Sequence, residues 1–194
     1  MIRNEAYQIL TKYITNKNLL KHCYAAEAGM RGIYQYLYKN KSSYAKATED
    51  KWGITGLLHD IDYQIAQETN KLDKHGTLLF ETNPELLPDD ITYAIKSHNF
   101  EGTKVEPKSD MDWAIAIVDG LTGFIVSCTL IHPDKKLASI TPEFVLKRLG
   151  QPAFSRNVRR DIIKLCEPKL GISLAEFVAI TLKSMQGISD ELGL

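Results

Sequence analysis

Apolar positions recur every three or four residues along nearly the whole chain, and the alternation that marks half-buried strands is almost absent. In residues 2–14, Ile2, Ala6, Ile9, Leu10 and Tyr13 share one face of a short helix. Asn18 is placed to cap a second helix reaching about residue 39, with Leu19, Cys23, Ala26, Met30, Ile33 and Leu37 along its stripe. A third helix is expected over 51–60, and a short one around His75, running to Glu81 and closed by Asn83-Pro84. Pro88-Asp89-Asp90 opens another, with Ile91, Ala94, Ile95 and His98 at i, i+3, i+4 and i+7. Residues 110–130 are apolar nearly all round (Trp113, Ile115, Ile117, Val118, Leu121, Phe124, Ile125), so that helix must be central. Thr141-Pro142-Glu143 joins an N-cap to a proline at the first helical position and starts a helix to Leu149. Ser155 is placed to cap the next, to about Cys166, and Ser173 with Glu176 forms a capping box for a last helix to about Leu192. The pattern predicts one all-α domain over residues 1–194, a bundle of about eight or nine helices with those of 133–194 packed on the core.

Residues 39–51 break this pattern. Lys-Asn-Lys-Ser-Ser-Tyr-Ala-Lys-Ala-Thr-Glu-Asp-Lys has no stable apolar face and reads as a solvated surface loop. The 24 Lys and Arg cancel the 24 Asp and Glu, so no basic excess asks for a nucleic-acid polymer or a membrane surface. A nucleotide-sized ligand needs only a local cationic pocket. Cys23, Cys128 and Cys166 are odd in number and set among apolar neighbours, which fits reduced, buried thiols and a cytoplasmic location. No uncharged run approaches the ~18 residues of a membrane span. Oligomeric state stays open.

Chemistry enters through a few polar residues on apolar faces. His59 and Asp60 end the apolar run 52–58, and neighbours on a helix point about 100° apart, so one helix end can offer an imidazole and a carboxylate to a cation. His22 shares a face with Leu19 and Ala26, and its two ring nitrogens need partners there. His98 continues the inward face begun by Ile91. Asp119 lies between Ala114-Ile-Ala-Ile-Val118 and Gly120-Leu-Thr-Gly-Phe124, where an unpaired carboxylate costs several kcal/mol. A cation removes that cost; a bond to Thr122 is the plainer alternative. His75, in Asp73-Lys-His-Gly76, is either a further ligand or an exposed loop histidine. Asp62 and Asp73 are candidates to accept hydrogen bonds from ligand histidines. His132, before Pro133, belongs to a polar turn.

In the order His22, His59-Asp60, His75, His98, Asp119 the chain resembles the HD-domain superfamily of metal-dependent phosphohydrolases. The likeness extends to Trp52-Gly-Ile-Thr-Gly-Leu-Leu-His59-Asp60-Ile-Asp62-Tyr63, to Ala94-Ile-Lys-Ser-His98-Asn99, to Asp119-Gly-Leu-Thr-Gly123 and to the tail Lys183-Ser-Met-Gln-Gly-Ile-Ser-Asp-Glu191. These look like stretches of stand-alone HD proteins, and together they cover nearly the whole chain. Many members read His-Asp-Ile-Gly where this chain has Asp62.

The resemblance implies that His22, His59, Asp60 and Asp119 hold a divalent ion, with His75 and His98 completing a two-metal site. Iron, manganese, cobalt, nickel or zinc suits such donors. It implies hydrolysis of a phosphate ester or anhydride of a nucleotide or small phosphorylated metabolite by a metal-activated hydroxide, with Asp60 bridging the metals and orienting the nucleophile. Lys96, Arg148, Arg156 and Arg159 are candidates to bind substrate phosphate; solvated surface charge is the alternative for each. Two other readings stand beside it: a di-iron HD-type oxygenase, and a nucleotide-binding HD module without turnover.

Overall fold

The computed structural model describes residues 1–41 and 45–194. It is all-α, with no strand among the described residues. Helices α1 (Arg3–Tyr13), α2 (Lys17–Tyr38), α3 (Lys46–Leu58) and α4 (Tyr63–Glu68) lead to a 3-10 turn at Leu72–Lys74. Then come α5 (Asp89–His98), α6 (Phe100–Thr103), α7 (Asp110–Ile131) and a second 3-10 turn at Leu137–Ser139. The remainder is α8 (Pro142–Leu149), α9 (Arg160–Ile163), α10 (Cys166–Leu170), α11 (Leu174–Gln186) and α12 (Ser189–Leu192).

Apolar side chains gather in two clusters. One surrounds α7 and takes Ala26, Met30 and Ile33 from α2, and Phe177, Val178 and Leu182 from α11. The other joins Ala6 and Leu10 of α1 to Ile54, Leu57 and Leu58 of α3 and Ile91 and Ile95 of α5. Helices α2, α3 and α5 feed both clusters, and they carry His22, His59 (the residue closing α3) and His98. Helix α7 is long and apolar enough, by length and composition, to cross a membrane, yet 61% of its most apolar stretch is buried inside the protein. Core packing accounts for that apolarity: α2, α5, α9, α10 and α11 all lie against it. Ser109 caps α7 by accepting from the Asp112 N–H, while the Asp112 carboxylate accepts from Ser109 and Lys108.

Helices α2 and α3 cross at very close range. A Cβ built on Gly56 would stand 2.6 Å from the Ala26 carbonyl oxygen, which no side chain tolerates. Because His22 lies one turn before Ala26 and His59 one turn after Gly56, the same approach brings the two imidazoles together.

The boundaries depart from expectation in five places. Asn16, not Asn18, caps α2, its side chain accepting from the N–H groups of Asn18 and Leu19. Helix α3 starts at Lys46, so half of the predicted 39–51 loop is helix; residues 42–44 of that loop lie outside the described residues. A polar sequence can fold there because buried Glu49 is met by Lys46 and Gln35, a partnership periodicity does not register. The predicted helix around His75 is instead the 3-10 turn followed by further turns. Ser155 takes φ +46 and caps nothing; α9 and α10 form later. There Arg160 donates to the carbonyls of Leu149, Gln151 and Ser155, satisfying acceptors with a side chain in place of a helix. The last helix is divided after Gln186, leaving α12 as a separate turn. The three cysteines are free and buried.

Candidate metal centre

Six side chains from separate parts of the sequence converge at one end of this scaffold. They form two groups whose donor atoms lie within 4.8 Å of one another: His22, His59 and Asp119, and Asp60, His75 and His98. Asp60 connects them. Its Oδ2 stands 3.5 Å from His22 Nε2 and its Oδ1 3.4 Å from His59 Nε2, while Oδ1 also reaches His75 Nε2 at 2.9 Å. His59 and Asp60, adjacent in sequence, thus belong to different groups. Their helix has ended: His59 closes α3, and Asp60 lies in the turn beyond.

The histidines are oriented from behind. His59 Nδ1 donates to the Gly56 carbonyl at 2.8 Å, His98 Nδ1 to the Ile95 carbonyl, and His75 Nδ1 to the Asp62 carboxylate at 2.8 Å. A neutral imidazole that donates through Nδ1 presents a lone pair at Nε2. Three such lone pairs point into one space, with His59 and His22 Nε2 atoms 3.2 Å apart and those of His75 and His98 3.0 Å apart. Acceptors cannot satisfy one another at that range; a cation or proton between them can. Asp62 does more than orient His75. It also accepts from the Gly76 N–H at 2.9 Å and from Leu79, and Gly76 holds φ +92, a conformation glycine adopts without strain.

Charge follows the same geometry. Burial opposes ionisation of Asp60 and Asp119, yet the surrounding histidines hold both carboxyls below the usual range. Burial likewise pulls His22 and His75 down, but Asp119 and Asp60 raise His22 to about 9, and Asp60 and Asp62 raise His75 to about 10. His98 goes the other way, to about 4, through burial and then the neighbouring His75 and His59. In the bare chain, protons fill positions between acceptors that a cation fits as well. Four imidazoles and two carboxylates make a donor set for one or two transition-metal ions.

The cluster opens onto a cavity of about 530 Å³, within the range of small-molecule sites. His22, Asp60, His75, His98 and Asp119 line it, while His59 is wholly buried behind. Asp119, expected in an enclosed apolar setting, has 36% of its side chain exposed to this space, and Thr122 donates to its main-chain carbonyl rather than its carboxylate.

Of the cations proposed for phosphate binding, only Arg159 lines the cavity. Lys96 stands over the Phe80 ring, Arg148 between Phe144 and Phe154, and Arg156 is exposed elsewhere; none of the three lines this cavity. Asp73 is exposed, and His132 packs on Phe144 beside Asp134. Sequence reasoning passed over Tyr63, whose ring meets His75 edge-on at 5.0 Å, and Glu101 on the rim. Asn99 donates to the His75 carbonyl at 3.1 Å; its place directly after His98 was the available signal. No family model matches the chain, and no curated protein or solved structure matches it.

Proposed function

We propose that this chain is a metal-dependent phosphohydrolase of the HD-domain kind, cleaving a phosphate ester or anhydride of a small molecule. The observation that carries the reading is the convergence of six donor atoms in two groups around Asp60, with three histidines oriented from behind so that each presents Nε2. When bound, a pair of divalent cations supplies Lewis acidity toward phosphoryl oxygens and activates water near neutral pH. Asp60, whose Oδ2 faces His22 and whose Oδ1 faces both His75 and His59, would be a ligand common to the two groups and would orient a nucleophile beside them. Asp62 fixes the His75 tautomer, and Asn99 fixes the His75 main chain. Tyr63 lines the cavity, and burial, then Asp60 and Asp119, raise its hydroxyl above the usual phenol range. In the bare chain His22 and His75, raised to about 9 and 10, balance Asp60 and Asp119, and Arg159 balances Glu101, so a positive excess for an anion would come with metal loading.

The test joins metal analysis to turnover. Protein reloaded with manganese, iron, nickel or cobalt is expected to hydrolyse 4-nitrophenyl phosphate, with and without dioxygen. His59→Ala should lose both bound metal and turnover. Turnover that requires dioxygen, or a His59→Ala variant as active as the parent, would remove the hydrolase reading.

A further inference from the structure

The cavity's outer rim carries one guanidinium, and it is already taken. Among the described residues, Arg159 is the only Lys or Arg lining the cavity. It donates through two nitrogens to both oxygens of Glu101, one at 2.8 Å, and through Nε and Nη2 to Asp161 at 3.1 and 2.7 Å. Asp161 adds a second carboxylate and Lys104, whose Nζ donates to the Glu101 main-chain carbonyl at 2.6 Å, a second cation, so that rim has no positive excess. Glu101 faces the cavity from α6 and Arg159 from the segment before α9, so their pair joins the two sides. Leu19, Leu72, Phe100, Ile162 and Ile163 give the cavity much of its lining, alongside the polar Tyr63, Asn99 and Asn157.

A phosphoryl group at the ligand cluster therefore leaves the rest of its molecule against hydrocarbon, ending beside a carboxylate. Sites built for polyphosphates offer unpaired arginines and lysines, whose forks match phosphate oxygens. This one offers a guanidinium with four of its five N–H donors occupied. We infer that Glu101 is a specificity-determining residue: it restricts the centre to phosphomonoesters with an uncharged, largely apolar alcohol portion, and turns away molecules that carry further phosphates. The inference rests on the hydrolase reading. A second phosphate must either break the Arg159–Glu101 pair or lie beside a like charge, and like-charge contact is an effective means of rejecting a wrong partner.

The experiment uses the whole chain loaded with manganese and compares kcat/KM for 4-nitrophenyl phosphate and for adenosine 5′-monophosphate, diphosphate and triphosphate. The parent should prefer the monoesters, its kcat/KM falling with each added phosphate. Glu101→Gln frees Arg159 and should raise the triphosphate-to-monophosphate ratio about tenfold, and Arg159→Gln should lower it. Added salt should raise the ratio in the parent, where it screens a repulsion, and lower it in Glu101→Gln, where it screens the attraction of the freed Arg159. A purely structural ion pair would not produce that difference. Equal turnover across the series, or an unchanged ratio in Glu101→Gln, overturns this inference and leaves the hydrolase reading standing. No turnover of any of these compounds overturns both.

Discussion

The two halves of the ligand cluster use the same chemistry but are built differently. His22, His59 and Asp119 stand on or at the ends of three regular helices, and two of them open to the cavity, with 23% and 36% of the His22 and Asp119 side chains exposed. Asp60, His75 and His98 are buried, with side-chain exposures of 7%, 9% and 2%. Asp60 and His75 come from turns, and the turn holding His75 is itself tied down by Asp62, Gly76 and Asn99. One group is positioned by helix packing and is the more exposed. The other is positioned largely by hydrogen bonds and is the more buried, although its three side chains line the same cavity. A cation in the more buried group should exchange more slowly and depend more on the residues behind its ligands.

The largest effect should come from the residue both halves share. Asp60→Ala removes a donor from each group and leaves His22 and His75 without their common carboxylate. Bound metal should fall below one ion per chain, and phosphatase turnover should drop on the order of a thousandfold or more, matching several kcal/mol of lost charge stabilisation. A variant that kept one tightly held ion and ordinary turnover would show that the halves are independent.

Asp62→Asn tests the more buried half alone. The amide can still accept from one side, but it loses the charge that fixes His75 Nδ1 as a donor. Metal affinity should weaken about 10–100-fold at one of two sites in a calorimetric titration, the usual cost of removing a carboxylate behind a ligand histidine. Equal weakening at both sites would erase the distinction between the halves.

The same contrast explains what the sequence made legible. His22, His98 and Asp119 sit on helices with clear periodicity, so their inward direction could be read from apolar neighbours one turn away. Helix α7 and the capping box of α11 were legible for the same local reason. His75 was not, because its position depends on Asp62, thirteen residues earlier, and on a glycine at positive φ, neither of which leaves a periodic trace. The division of His59 and Asp60 between two groups depends on where α3 stops, which adjacency alone does not reveal. Lys96, Arg148 and Arg156 were chosen by charge, and charge says nothing of which wall a residue lines. Glu101 and Arg159 meet across 58 residues, a distance at which sequence pattern carries no information.

Chelation should separate the halves in time. Removing metal from the more exposed group first and the more buried group second should give two phases of loss by metal analysis. For a chain of this size, each cation present at a hundredfold excess over its dissociation constant contributes about 2.7 kcal/mol, so stripping both should lower Tm by roughly 10–20 °C. A single phase would mean that the two ions leave together.

The smallest effect, and the one that reads the halves through protons, is the pH dependence of stability. In the bare chain His22 and His75 are raised, so their contribution is fully present below the unfolded value of 6.5 and is lost as pH rises through about 9 and 10. His98, lowered to about 4, acts in the opposite direction: the unfolded chain takes up that proton first, so stability falls as pH drops from 6.5 toward 4. Bare protein should therefore be most stable near pH 6.5, and its urea midpoint should decline toward pH 8.5 by an amount on the order of 1–2 kcal/mol, after allowing for solvent screening at the partly exposed His22. Metal ligation removes those protons and strengthens as they leave, so the loaded protein should show the opposite slope over the same interval. His22→Gln should remove part of the alkaline decline and His75→Gln a larger part, because the two carboxylates at His75 stand closer, at 2.9 and 2.8 Å against 3.5 and 3.0 Å at His22, in a more buried position. Equal changes would mean that burial does not distinguish the two groups, and parallel slopes with and without metal would mean that the cation does not replace these protons.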